Sequence, residues 1–226
     1  MKLAIFDIDG TIINTNKIDG GCFAQALRIE FGITSINTNW AEYKHATDSS
    51  ITREIFQQKF TRSPKTEEIQ RFVKRFVSLL KALYLSDPEC FHEILGSKLL
   101  VQLLSINSDW KIGMATGGWF ASSVYKLNCA GIHFEGIPFT AADDAITRED
   151  VVLKCIAKAQ VYYGVNKFSK IVSVGDAIWD IQTAKSLKLP FIGVGDKDHL
   201  TRLGVNHTIQ NYSDLQSFIQ LLEKVE

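Results

Sequence analysis

The stretch AIFDIDGTII, residues 4–13, begins as a buried strand and then, within one turn's length, sets down two aspartates, a glycine and a threonine. Residues 2–6 form a short apolar run, and similar runs recur at 111–115, 170–174 and 190–194. Such runs read as strands buried on both faces, hence parallel. The segments between the later runs carry a helical period: Phe120, Val124 and Leu127 share one predicted face, Val152, Ile156 and Ala159 another, and 177–189 suits a third helix. A last helix is expected over 213–224 with Leu215, Phe218, Ile219 and Leu222 inward. Strand and helix in alternation predict an α/β fold with a doubly wound, mostly parallel sheet.

One interval breaks the rhythm. Roughly 100 residues separate the first strand from the second, against the ~30 of a simple βαβ unit. Within it, Phe23, Leu27 and Phe31 mark one helix, Ile51, Ile55 and Phe56 a second, and Ile69, Phe72, Val73, Phe76, Leu80 and Leu83 a longer third, for which Ser63-Pro64 is a natural start. Pro88 closes the region, and 91–106 reads as the crossover helix returning to the sheet. The expected organisation is a catalytic core from 1–14 and 89–226, with 15–88 a small all-helical cap inserted after the first strand.

In an open parallel sheet, ligands sit beyond the carboxyl ends of the strands, where the winding reverses. Asp7, Asp9, Gly10 and Thr11 follow the first strand, Thr116-Gly117-Gly118 the second, and Gly175-Asp176 the third, with Asp180 four residues on; Asp143, Asp144 and Arg148 stand between the last two groups. Three carboxylates within ~5 Å repel by about 3 kcal/mol per pair at an effective dielectric near 20. A hard divalent cation held by oxygens relieves that repulsion, and Mg²⁺ prefers to share its shell with phosphate and water.

D-I-D-G-T, a hydroxyl residue ending the second strand, a later basic residue and G-D-x-x-x-D together resemble the haloacid dehalogenase-like hydrolases, specifically their phosphatases. The resemblance covers the whole chain, because the helical insertion is similar to that family's cap. It implies Asp7 as a nucleophile forming an aspartyl-phosphate. It implies Asp9 as the acid that protonates the leaving oxygen and then the base that deprotonates water. Asp176 would hold Mg²⁺ with Asp7 and the backbone carbonyl of Asp9, and Asp180 would support that shell. Backbone N–H groups around Ile8 and Asp9, with Thr116 and Gly117, would donate to phosphate oxygens. Gly10 would permit the turn that Thr11 caps, and the resemblance implies both, with Arg148, around the phosphate.

Members of the family often carry a lysine in a K-P-x-P-D segment at the third motif; here the corresponding stretch is DDAITREDVVLK. Arg148 is the basic residue nearest that place, and its fork suits phosphate or Asp7. Lys154 competes from nearly two turns further on. Arg148 could equally sit in the first turn of a helix capped by Thr147 with Asp150, and Thr116 could be a helix N-cap. Asp143 and Asp144 read as turn or supporting residues, and Trp119 and Trp179 as packing. The polar stretch YKHATDSSI, residues 43–51, precedes a helix that its Ser or Asp can cap; resemblance to family caps suggests instead that His45, Thr47 and Asp48 contact the leaving group.

The expected activity is Mg²⁺-dependent hydrolysis of a small soluble phosphomonoester. A sugar phosphomutase of the same family is the alternative, and a non-catalytic phosphate-ligand binding protein a third. Asp9 argues against a true dehalogenase, which lacks that second carboxylate. Lys plus Arg and Asp plus Glu number 25 each, so no net positive field draws nucleic acid or an acidic membrane. Hydrophobic residues at 46% and charged residues at 22% fit a folded protein of 226 residues with a substantial core. Asp7 and Asp9 interrupt the apolar start too early for a secretion signal, and no run of about 18 apolar residues follows. Cys22, Cys90, Cys129 and Cys155 lie scattered without C-x-x-C pairing, as reduced thiols in a cytoplasm would.

Overall fold

The computed structural model describes residues 1–15, 18–106 and 109–226. Its central strand is β1 (Lys2–Phe6), whose side chains alternate between the two faces of the sheet. Ala4 and Phe6 enter one apolar layer, Leu3 and Ile5 the other. After β1 the chain forms a two-residue strand β2 (Ile13–Asn14), then three helices, α1 (Asp19–Phe31), α2 (Asp48–Phe60) and α3 (Thr66–Ser86). It returns through β3 (His92–Glu93) and α4 (Ser97–Ile106) to β4 (Trp110–Ala115). The rest follows as α5 (Phe120–Cys129), β5 (Phe139–Thr140), α6 (Arg148–Tyr163), β6 (Ile171–Gly175), α7 (Ile178–Ser186), β7 (Phe191–Val194), α8 (Lys197–Arg202), β8 (Thr208–Ile209) and α9 (Leu215–Lys224).

The main sheet has the order β5-β4-β1-β6-β7-β8 and is parallel throughout. Register sets up the chemistry. Phe6 lies opposite Met114 on β4 and Val174 on β6, so all three strands end at one level. The winding reverses about β1, which opens a crevice above that level. One layer, with Leu100, Leu104, Leu127, Phe218 and Leu222, packs under α4, α5 and α9; the other, with Val151, Val152, Cys155 and Ala159, packs under α6. The fold class is the doubly wound α/β sheet expected.

Helices α1–α3 build their own apolar cluster from Phe23, Leu27, Ile51, Ile55, Phe72, Phe76 and Leu80. Trp119 and Ala142, from beyond β4 and β5, close its underside. Phe72 stands edge-on to Trp119 with centroids 5.1 Å apart, and Phe23 stacks on the same indole at 5.8 Å. The two connections to these helices pair with each other: β2 and β3 are antiparallel, Ile13 opposite Glu93 and Asn14 opposite His92.

Three sequence expectations are corrected. The crossover helix starts at Ser97, because the residues assigned to its first turn are occupied by β3 in pairing with β2. Helix α3 starts at Thr66, past Ser63-Pro64, where the Glu68 carboxylate accepts from the Lys65 N–H at 2.7 Å. The inward face of α5 is Ser122, Ser123, Lys126 and Leu127, while Phe120 is 47% exposed and meets Phe139 edge-on.

Candidate active site

Asp7 follows β1 directly and is held in line by its N–H, which donates to the Val174 carbonyl at 3.0 Å. The turn after it is tight: the Gly10 N–H donates to Ile13 O at 2.7 Å and the Thr11 N–H to Ile8 O at 3.2 Å, with Gly10 at φ 79°. Only glycine takes that backbone without strain. Gly10 and Thr11 were expected around the phosphate. Their N–H groups are engaged within the turn, and the Thr11 hydroxyl reaches Asp176 Oδ1 at 3.4 Å. Ile8 is fully buried in the apolar layer, so only its backbone faces the question of phosphate.

Asp7, Asp176 and Asp180 each place a carboxylate oxygen within 4.8 Å of the others. Asp176 follows β6, and Asp180 lies in the first turn of α7, where it accepts from the Ala177 N–H at 3.1 Å. It folds back over Gly175: a β-carbon there would stand 2.5 Å from Asp180 Cβ, which is why the glycine precedes Asp176. Arg148 opens α6, and its Nη2 donates to Asp7 Oδ1 at 3.1 Å and to Asp180 Oδ1. Arg148 also stands in the first turn of α6, which Thr147 caps by accepting from the Asp150 N–H at 3.0 Å. Lys154 is exposed and donates to the Asp144 carbonyl, away from the cluster.

Burial raises the Asp7 carboxyl well above the ordinary carboxylate range, with Asp180 adding to the effect and Arg148 opposing it. Burial disfavours the charge of Arg148, yet Asp180 and Asp7 raise its pKa overall. Three carboxylates with one guanidinium leave a formal charge of about −2, and hard oxygen donors at this spacing fit a divalent cation such as Mg²⁺.

Asp9 sits apart from that cluster. Its Oδ1 accepts from Lys126 Nζ at 2.6 Å and from the Thr15 hydroxyl, and the same ammonium donates to Asp19 at the start of α1. Burial and the Asp9 charge raise Asp19 to about 7 against the pull of Lys126, which itself is raised by both acids although burial works the other way. Lys126, Asp19 and Thr15 escaped the sequence reading. A lysine beside Leu127 on an amphipathic helix reads as solvent-facing; its one signal is that Ser122, Ser123 and Lys126 share the inward face with Leu127.

The Thr116 N–H donates to Thr140 O, joining β4 to β5, so only its hydroxyl is left for a ligand; that oxygen also accepts from the Gly118 N–H at 3.0 Å. It does not cap α5. Two remote acids do: Asp48 accepts from the Trp119 N–H at 3.0 Å and Asp143 from the Phe120 N–H at 2.6 Å. Asp144 accepts from Ala141 N–H, a turn role.

Residues 47–49 dock on the core. The Asp48 N–H donates to Gly117 O at 2.8 Å, the Thr47 hydroxyl to Ile146 O at 2.7 Å and the Ser49 hydroxyl to Ala142 O at 2.7 Å. Of the three residues expected beside a leaving group, only Asp48 lines the cavity. Thr47 is corrected to the N-cap of α2, its oxygen accepting from the Ser50 N–H at 3.2 Å, and His45 does not line the cavity. The cavity measures about 790 Å³ and is floored by Asp7, Asp9, Gly117 and Asp176 and roofed by Phe23, Trp40, Asp48 and Phe76. Trp179 also lines it, whereas Trp119 packs in the apolar cluster as expected.

A parallel sheet with an acid cluster at its switch point, roofed by helices inserted after the first strand, defines a doubly wound α/β protein with its candidate active site at the strand ends. Residues 4–194 match the family described as haloacid dehalogenase-like hydrolase, and the chain belongs to that family. Among solved structures it is similar to a hydrolase from Pseudomonas syringae, at 20% identity and a TM-score of 0.71 over 97% of this chain and 98% of that one. It is similar also to a beta-phosphoglucomutase from Clostridium difficile, at 19% identity and a TM-score of 0.68 over 98% and 97% of the two chains. A family hydrolase from Deinococcus radiodurans with bound phosphate and sodium gives 15% identity and a TM-score of 0.57 over 99% and 96%. No curated protein matches the sequence.

Proposed function

We propose that the chain is a Mg²⁺-dependent phosphomonoester hydrolase acting on a small soluble metabolite through an aspartyl-phosphate on Asp7. The observation that carries this reading is the convergence of Asp7, Asp176 and Asp180 oxygens within 4.8 Å, with Asp7 and Asp176 at the floor of a cavity of about 790 Å³. That volume suits a compact ester, within the roughly 300–1,000 Å³ of small-molecule sites. The Deinococcus protein's bound phosphate supports a phosphorylated substrate.

Asp7, Asp176 and the backbone carbonyl of Asp9 would hold the cation, with Asp180 steadying the shell. When bound, the cation supplies charge that screens the approach of an anionic carboxylate to an anionic phosphoryl group. The chain's own groups do the rest. Arg148 fixes Asp7 Oδ1, so the carboxylate presents a defined oxygen to phosphorus. The Thr116 hydroxyl and the N–H groups of Ile8, Asp9 and Gly117 receive the phosphoryl oxygens. Asp9 protonates the leaving oxygen and later deprotonates the water that attacks phosphorus. The docked helices roof the cavity and exclude bulk water.

A phosphomonoester panel, run with and without Mg²⁺ beside Asp7→Asn, tests the reading. Release of inorganic phosphate should require both the cation and Asp7, with a loss of about 10³-fold or more in the variant. Full turnover by Asp7→Asn would remove the mechanism; phosphate returned to a sugar would assign a mutase. The panel is expected to favour small cytoplasmic metabolites; among the described residues no helix is long and apolar enough to cross a membrane.

A further inference from the structure

Lys126 lies two turns into α5 with its side chain 1% exposed, and nothing in the proposed reaction uses it. A buried ammonium is costly unless paired and hydrogen-bonded, so its place needs a reason. Its partners are specific. It donates to Asp9 Oδ1 at 2.6 Å and to Asp19 Oδ2, while Thr15 puts a second donor on the same Asp9 oxygen. Asp9 Oδ2 is left on the side of the 116–118 loop: a β-carbon at Gly118 would stand 3.6 Å from it and 3.5 Å from the Thr116 hydroxyl oxygen. One oxygen of Asp9 is therefore clamped, and the other faces the loop where phosphoryl oxygens are expected.

We propose that Lys126 is a positioning residue for the acid–base step: with Thr15 it holds Asp9 by Oδ1 so that Oδ2 stays turned toward the 116–118 loop, and through Asp19 it ties that clamp to α1 of the inserted helices. The inference rests on the reading of Asp9 given above. In the first half-reaction the Oδ2 proton passes to the ester oxygen as its bond to phosphorus breaks and the Asp7–phosphorus bond forms. In the second, water gives its proton to Oδ2 and its oxygen to phosphorus as the Asp7–phosphorus bond breaks. The sum is ester plus water to alcohol plus phosphate. Lys126 gains and loses no proton in either.

Two variants of the full chain, Lys126→Met and Lys126→Met with Asp19→Asn, test this with Mg²⁺ present. The double variant also removes the facing charge, so that folding does not depend on an unpaired buried carboxylate there. The substrates are p-nitrophenyl phosphate, whose leaving group needs no proton, and glycerol phosphate, whose alkoxide does. Loss of positioned acid catalysis should lower kcat/KM, which reports transfer to Asp7, by about 10²-fold for glycerol phosphate while that of p-nitrophenyl phosphate stays within a few-fold; slower attack of water on the common aspartyl-phosphate lowers kcat for both. Equal losses of kcat/KM on both esters, or none on either, would overturn the role. Should the wild-type chain cleave no phosphomonoester, the reading of Asp9 fails by itself. The crystal structure of the double variant then decides the clamp: a displaced Asp9 carboxylate upholds it, and one left in place defeats it.

Discussion

Asp48 shows how one side chain links the inserted helices to the core. Its carboxylate accepts from the Trp119 N–H at the start of α5, and burial lifts its pKa from an ordinary 3.8 to about 7. The folded protein therefore holds a proton there that the unfolded chain releases above pH 4. Stability from this site is full below about pH 4, falls as pH rises toward 7, and levels above it. Asn keeps the accepting oxygen and cannot ionise. Asp48→Asn should match the wild type near pH 4 and exceed it in melting temperature by pH 7, measured on metal-free protein; a constant difference across that range would contradict the assignment. At this scale the sequence was legible where chemistry sits at strand ends. Asp7, Asp9 and Asp176 follow apolar runs, and Gly175 precedes its acid because Asp180 folds over it. Lys126 and Asp19 were not, since their meeting depends on how α1 docks against α5, a relation no local spacing encodes.

The elements divide in the same way. Strands β1, β4, β6 and β7 were readable because strands buried on both faces are continuously apolar. The two-residue strands β2, β3, β5 and β8 are too short to carry a period, and β3 took residues that a helical pattern also fits. Helix α3 was the clearest of the inserted elements, and its stripe has a measurable role. Phe72 is fully buried against Phe23, Phe31 and Trp119, with centroids 4.9, 5.8 and 5.1 Å away. Phe72→Ala should cost about 3–5 kcal/mol in urea unfolding. It should also alter Trp119 fluorescence, because the lost ring forms one wall of that indole's site. A cost under about 1 kcal/mol would show that the helices do not rely on this contact.

Taken whole, the molecule gathers uncompensated negative charge at the ends of its central strands. Asp7, Asp176 and Asp180 outnumber Arg148, and the raised pKa of Asp7 follows from burial and from its acid neighbours. Protons and a dication therefore compete. Mg²⁺ should raise the melting temperature, with about 2.7 kcal/mol of added stability at one hundred times its dissociation constant. Its affinity should grow with pH and its binding should release protons to buffer in calorimetry. Binding that neither releases protons nor changes with pH would place the cation elsewhere. Helices in the long gap between the first two sheet strands were legible, whereas the docking of residues 47–49 on Gly117, Ala142 and Ile146 was visible only in three dimensions.

The pairing of β2 with β3 carries a further consequence. Asn14 and His92 are cross-strand neighbours, so the whole roof leaves and re-enters through a ladder only two residue pairs long. A shortened chain that bridges those two positions with a tight Asn-Gly reverse turn should still assemble its sheet, provided Trp119, stripped of its aromatic neighbours, is exchanged for a polar residue. Circular dichroism would report the surviving scaffold. Its uncovered basin should then accept esters too bulky for the parent, at the expense of selectivity.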